Sequence, residues 1–116
     1  MNGIVLRKME IPEIEVLQTE LFNFLSYKNA SLPHLNKREN EFFDTLLMID
    51  IAQKMYYSFR GKIEKTKALE ANINLSCSEA VILLSCCNFS KTVRNDFQKF
   101  VMHKVSTLLH QQLINF

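Results

Sequence analysis

An all-α fold, a small bundle or orthogonal array of about four helices in the order long, long, short, long, is predicted by three features of this sequence. Gly and Pro occur only twice each, too seldom for the turns that an all-β chain needs every few residues. Apolar residues recur with helical period over long stretches. Capping sequences stand in front of several of those stretches. At 116 residues, 47% apolar and 22% charged, the chain fits a single helical domain, residues 1–116. It needs neither metal nor disulfide to bury a core.

Residues 4–9 (IVLRKM) fit either a short extended piece or the lead into a helix. A first helix is expected from Pro12, since proline suits the first turn and Glu13 and Glu15 complement the positive end of the helix dipole. Ile14, Leu17, Leu21, Phe24 and Leu25 then form one stripe, and Lys28 and Asn29 read as stop signals. Residues 29–36 (NASLPHLN) read as a loop, with Leu32 pushed toward extended geometry by Pro33. Asn36 with Glu39 resembles a capping box for a second helix reaching about Ala71. Gly61 is its weak point, costing ~1 kcal/mol relative to Ala and inviting a kink or break.

Residues 72–75 (NINL) read as extended, and a minor two-stranded ribbon with 4–9 is the alternative to a purely helical chain. Ser76 and Glu79 form a capping box for a short apolar helix, Cys77 to about Cys87. Ser90 is positioned to cap the last helix. On it Val93, Phe97, Phe100, Val101, Val105 and Leu108 share a face.

Charge and cysteine usage narrow the function. The net charge is +2, with six basic and eight acidic residues in 1–59 against eight and four in 60–116. So mild an asymmetry does not by itself indicate nucleic acid as a partner. Three cysteines, two of them the adjacent Cys86 and Cys87, suggest no disulfide framework. Arg7 and Lys8 follow only three apolar residues, so no signal-peptide core is expected. The longest nearly apolar stretch, Ala80 to Cys87, is far below the ~20 residues of a membrane helix. A cytoplasmic protein with no membrane span is the expectation.

His103 and His110 share a helix face, with Asp96 one heptad earlier. Seven residues separate successive members by ~10.5 Å, too far for one metal. Cys86 and Cys87 close an apolar run, as packing residues do. Gly61-Lys62 lacks the flanking Gly and Ser/Thr of a phosphate loop. The acidic pairs Glu13/Glu15, Glu39/Glu41 and Asp44/Asp50 lack the Glu-x-x-His spacing of di-iron bundles. No catalytic residue, metal or cofactor is expected. A site gathered from distant residues would show as a cleft holding His34, His103 or a cysteine beside a carboxylate.

One segment departs from a plain bundle. Between Phe42 and Phe59, residues Phe42, Leu46, Ile49, Ala52, Tyr56 and Phe59 make one broad apolar face, and Phe43, Leu47, Ile51 and Met55 make a second row at spacing four. Either this helix is central and wrapped on both sides, or one face is open and pairs with another chain. The second arrangement gives the leading expectation: a non-enzymatic protein-interaction or adaptor module. It would form a homodimer, or bind another protein, through Phe43, Leu47, Ile51 and Met55. The alternative is a small nucleic-acid-associated regulator. Its short third helix, a brief turn and the start of the last helix would present Lys91, Thr92, Arg94 and Asn95 to phosphates and base edges.

Overall fold

The computed structural model describes residues 3–65, 67–89 and 93–115. In chain order they form strand β1 (Ile4–Glu10), helix α1 (Ile11–Ser31), a 3-10 turn (Leu32–His34), helix α2 (Asn40–Lys65), strand β2 (Glu70–Leu75), helix α3 (Cys77–Cys87) and helix α4 (Asp96–Ile114). The protein is mostly helical, in the expected order of helix lengths. It is not purely all-α, because β1 and β2 pair antiparallel.

The ribbon sets Ile4 against Leu75, Val5 against Asn74 and Leu6 against Ile73, then shifts so that Met9 faces Ala71. Arg7 and Lys8 therefore share Asn72 as their opposite, a β-bulge. Lys8 adopts a left-handed backbone conformation, φ 54°, and its N–H donates to Asn72 Oδ1 at 2.9 Å. The extra residue resets the alternation, so Ile4, Leu6 and Met9 all reach the core. Strict period two would bury one set and expose the other. On the outer edge of β1 the Gln112 side chain of α4 accepts from Val5 N–H at 3.0 Å and donates to Val5 O at 2.7 Å. That amide occupies the place of a neighbouring strand. Just before β1, a Cβ on Gly3 would lie 2.8 Å from the Leu75 carbonyl oxygen, so the two strands close only over a glycine.

Helix boundaries depart from the sequence expectation where side chains rebind the backbone. Helix α1 continues past Lys28 and Asn29 to Ser31. Asn29 Nδ2 donates to Leu25 O and Ser31 Oγ to Lys28 O, both within the helix. Leu32 is helical rather than extended (φ −53°, ψ −45°), and Leu35 N–H closes the following turn onto its carbonyl at 3.1 Å. Asn36 does not cap α2: its Oδ1 accepts from Arg38 N–H in a local turn, and the helix starts at Asn40. It runs unbroken through Gly61 and ends at Lys65, not near Ala71, because Glu70–Leu75 is taken up by the ribbon. The Ser76 and Glu79 capping box is present, with both reciprocal bonds made at 3.1 and 2.8 Å.

Helix α4 starts at Asp96, with Asn95 and Gln98 as its capping box. The expected cap, Ser90, lies outside the described residues. Its buried face is Val101, Met102, Val105 and Leu109, while Val93, Phe97 and Phe100 are exposed. The apolar stripe is rotated by about one residue from the sequence expectation, and α4 packs on β1, with Gln112 bonded to Val5. Helix α1 lies along α2 and also touches α3 and α4; α3 packs on α4. Leu17, Leu21, Met55, Phe59, Leu83, Val105 and Leu109 fill the space between them.

Candidate interaction surface

Helix α2 lies at the margin of the molecule, with α1 and α3 as its main neighbours. Among its 26 residues only Thr45, Ala52, Met55 and Phe59 are buried. They follow the narrow 3–4 spacing of a helix that packs along one seam. The opposite face carries Phe43, Leu46, Leu47 and Tyr57, all exposed. Between them Asp50 and Lys54 form an intrahelical ion pair at 3.1 Å. Of the two arrangements open at the sequence level, the wrapped central helix is not the one observed.

The row Phe43, Leu47, Ile51, Met55 does not share one environment. Each step of four residues turns 400°, so the row slants by about 40° per step around the helix. It begins on the outer face, with Phe43 55% and Leu47 60% exposed, and ends inside, with Met55 at 0%. Met55 is therefore a core residue and not part of a surface, contrary to the sequence expectation. Ile51 is half-buried, packed on the core from the α3 side.

At Ile51 the row meets α3. Leu47, Met48 and Ile51 face Cys77, Val81 and Ile82 across a shallow groove of about 310 Å³, with Asp44 and Ser78 at its rim. Val81 is exposed, and Cys77 is an exposed free thiol. A second concavity of about 710 Å³ opens on the other flank of α2, against α1. Its floor is aromatic: Phe22 and Tyr56 lie 6.2 Å apart and Tyr56 and Tyr57 5.5 Å apart between ring centroids. The charged residue at its rim, Arg60, is paired with Glu64 at 2.9 Å. One group of exposed apolar side chains thus runs along α2 and its two flanks; Leu69, Val93, Phe97, Phe100 and Ile114 are exposed elsewhere.

No protein family, curated protein or solved structure matches this chain. Function is read from its own residues.

Two residues of the nucleic-acid alternative, Arg94 and Asn95, are among the described residues, and both are engaged within the fold. Lys91 and Thr92 lie outside the described residues. Asn95 is occupied as the α4 cap, accepting from Gln98 N–H at 2.8 Å. Arg94 is turned inward, which corrects the expectation that it reads an external ligand. Its Nε and Nη2 each donate to the Glu20 carboxylate at 3.0 Å. Its remaining capacity goes to the carbonyls of Cys86, Cys87 and Phe89 at 2.9 to 3.1 Å. These carbonyls lie at and just beyond the C-terminus of α3, where a cation is favoured.

That pairing was not anticipated, although the signal was available. Glu13 and Glu20 sit one heptad apart on the apolar stripe of α1, and an acid on a core stripe asks for a buried cation. Glu13 finds Lys104 at 2.7 Å and also accepts from Glu10 N–H at 2.9 Å. The histidines His34, His103 and His110 are exposed. Among the described residues no three His, Cys, Asp or Glu side chains gather as metal ligands. Cys86 and Cys87 are buried, and burial pushes both thiols up, Cys87 to about 12.

Proposed function

We propose that this protein is a non-enzymatic, cytoplasmic protein–protein interaction module whose docking surface is the outer face of α2. The observation that carries this reading is the exposure of Phe43, Leu46 and Leu47 together, continued by Val81 across the groove to α3. Contiguous apolar surface of this kind is costly to leave in water and is the usual mark of a partner site. The buried acids Glu13 and Glu20 are each committed to a structural pair, with the half-buried Lys104 and Arg94, which supports an interaction role over catalysis. No helix among the described residues is long and apolar enough to cross a membrane.

The test is Phe43→Glu combined with Leu47→Glu, two exposed positions where charge does not disturb the core. Complex formation, followed by size exclusion with light scattering over a range of concentrations, should be lost. The unfolding free energy should stay within about 0.5 kcal/mol of the parent value per substitution. Association that persists in a folded double variant would place the docking surface elsewhere.

A further inference from the structure

We infer that the outer edge of β2 pairs antiparallel with the same edge of a second copy, about a twofold axis at Asn72, joining the two ribbons into one continuous sheet. This surface is separate from the outer face of α2. On β1, Val5 turns its N–H and C=O away from β2, to Gln112, so it faces Asn74 without bonding it. Glu10 likewise gives its N–H to Glu13 Oε1, while Ile11 N–H bonds Leu69 O on the next rung. The peptide groups that meet β1 are therefore those of Leu69, Ala71, Ile73 and Leu75. Those of Glu70, Asn72 and Asn74 point outward, at exposed residues, and no described residue bonds them. The main neighbours of β2 are β1 and the start of α3. An open edge of this kind is a template for another strand. The sequence EANINL puts neither Pro nor Lys on it, the residues that usually discourage strand addition.

Phase and charge choose the occupant. Among antiparallel registers, only the one centred on Asn72 pairs all three outward residues with outward residues of the second β2. Asn72 then meets its own counterpart, and Glu70 of each copy meets Asn74 of the other. Shifts toward Leu75 put Glu70 or Asn72 opposite Ser76, whose N–H and C=O are held by Glu79 and Ala80. Shifts the other way leave Asn74 beyond the end of the strand, and centring on Glu70 sets acid on acid. Parallel pairing about a twofold would also set Glu70 beside Glu70. At Asn72 the one charged residue of β2 faces an amide, so no like charges oppose each other. The same register brings Leu69, 88% exposed, opposite Leu75 of the second copy. Roughly six backbone hydrogen bonds form, and a twofold contact closes at two copies. One strand edge is at the small end of specific interfaces, so the dimer dissociates on dilution through the micromolar range.

The test uses the full chain carrying Phe43→Glu and Leu47→Glu, so that contacts through α2 do not enter the readout. Its solution mass should double between about 1 and about 500 μM, and amide exchange should slow with concentration at Glu70, Asn72 and Asn74. Asn74→Glu opposes two carboxylates on each side of the axis and should weaken the dimer about tenfold; adding Glu70→Lys should restore it to within about threefold. Asn74→Pro removes an outward N–H that the single copy does not use, and should abolish the dimer while the chain keeps its circular dichroism. The Asn74→Pro chain is also the form in which loss of complexes from the outer face of α2 is measured, so that the two surfaces are read one at a time. A chain that stays monomeric, a dimer without protection at these amides, or a dimer indifferent to Asn74→Glu overturns the strand pairing. Should the proline variant misfold, the charge pair at two exposed positions still decides.

Discussion

Arg94 and Glu20 form a fork-to-fork ion pair, two bonds of 3.0 Å between side chains that are 15% and 2% exposed. They lie 74 residues apart in the chain. The pair joins the middle of α1 to the approach of α4, and the same guanidinium closes the C-terminus of α3 through three carbonyls.

Breaking that pair is expected to be expensive. Arg94→Ala leaves Glu20 charged, buried and unpartnered and uncovers the α3 carbonyls, for a loss of about 3–5 kcal/mol. Urea unfolding followed by circular dichroism measures it. The double variant Glu20→Met with Arg94→Met should recover part of the loss, because it leaves no buried charge behind. A loss under about 1 kcal/mol for Arg94→Ala would mean that the pair is solvated in solution.

Leu47 and Met55 test the slanted row directly. Leu47→Glu should leave stability within about 0.5 kcal/mol, since its side chain already faces water. Met55→Glu inserts a carboxylate into the centre of the core and should unfold the protein or cost several kcal/mol. Equal effects at the two positions, in thermal unfolding, would contradict the placement of α2.

The β-bulge makes a prediction of opposite sign at two neighbouring sites. Lys8→Gly should be neutral or stabilising by up to about 1 kcal/mol, because its left-handed backbone costs a residue with a side chain more than glycine. Gly3→Ala should destabilise by about 1–3 kcal/mol, because its Cβ would press on the Leu75 carbonyl. Denaturant midpoints with unchanged m-values would report both.

Alkaline pH should weaken the fold through Cys86 and Cys87. Burial raises both thiols in the folded state, so the folded chain holds its protons while the unfolded chain begins to lose them near an ordinary value of about 8.5. The stabilisation is complete below that value and is lost as pH rises toward the folded values, by up to about 1.4 kcal/mol per pH unit for each thiol. Stability measured from pH 7 to 10.5 should therefore fall, and Cys86→Ala with Cys87→Ala should flatten the slope. In the same range a thiol reagent should label the exposed Cys77 at once and the buried pair only on unfolding.

Local signals carried much of the fold. Ser76 with Glu79 marked the start of α3 because a capping box is made between residues three apart and needs nothing distant. The α1 stripe through Ile14, Leu17, Leu21 and Phe24 was legible for the same reason: all four are buried. The ribbon was weighed only as an alternative, because the bulge at Lys8 breaks the period-two pattern that would have announced β1. Helix α4 starts at Asp96, capped by Asn95 with Gln98, and its phase depends on distant elements such as β1, to which Gln112 is bonded.

By itself the sequence determined what depends on neighbours within a turn or two: helical class, the order of long and short helices, the α3 cap, and an α2 with more apolar surface than one seam can bury. Only the tertiary structure decided which of that surface stays outside. A row at spacing four slants around its helix, so Phe43 and Leu47 meet water while Met55 meets the core. Tertiary structure also turned Arg94, which in sequence could have faced a ligand, toward Glu20. A side chain's partner across 74 residues is set by how the helices pack, and no local pattern encodes it.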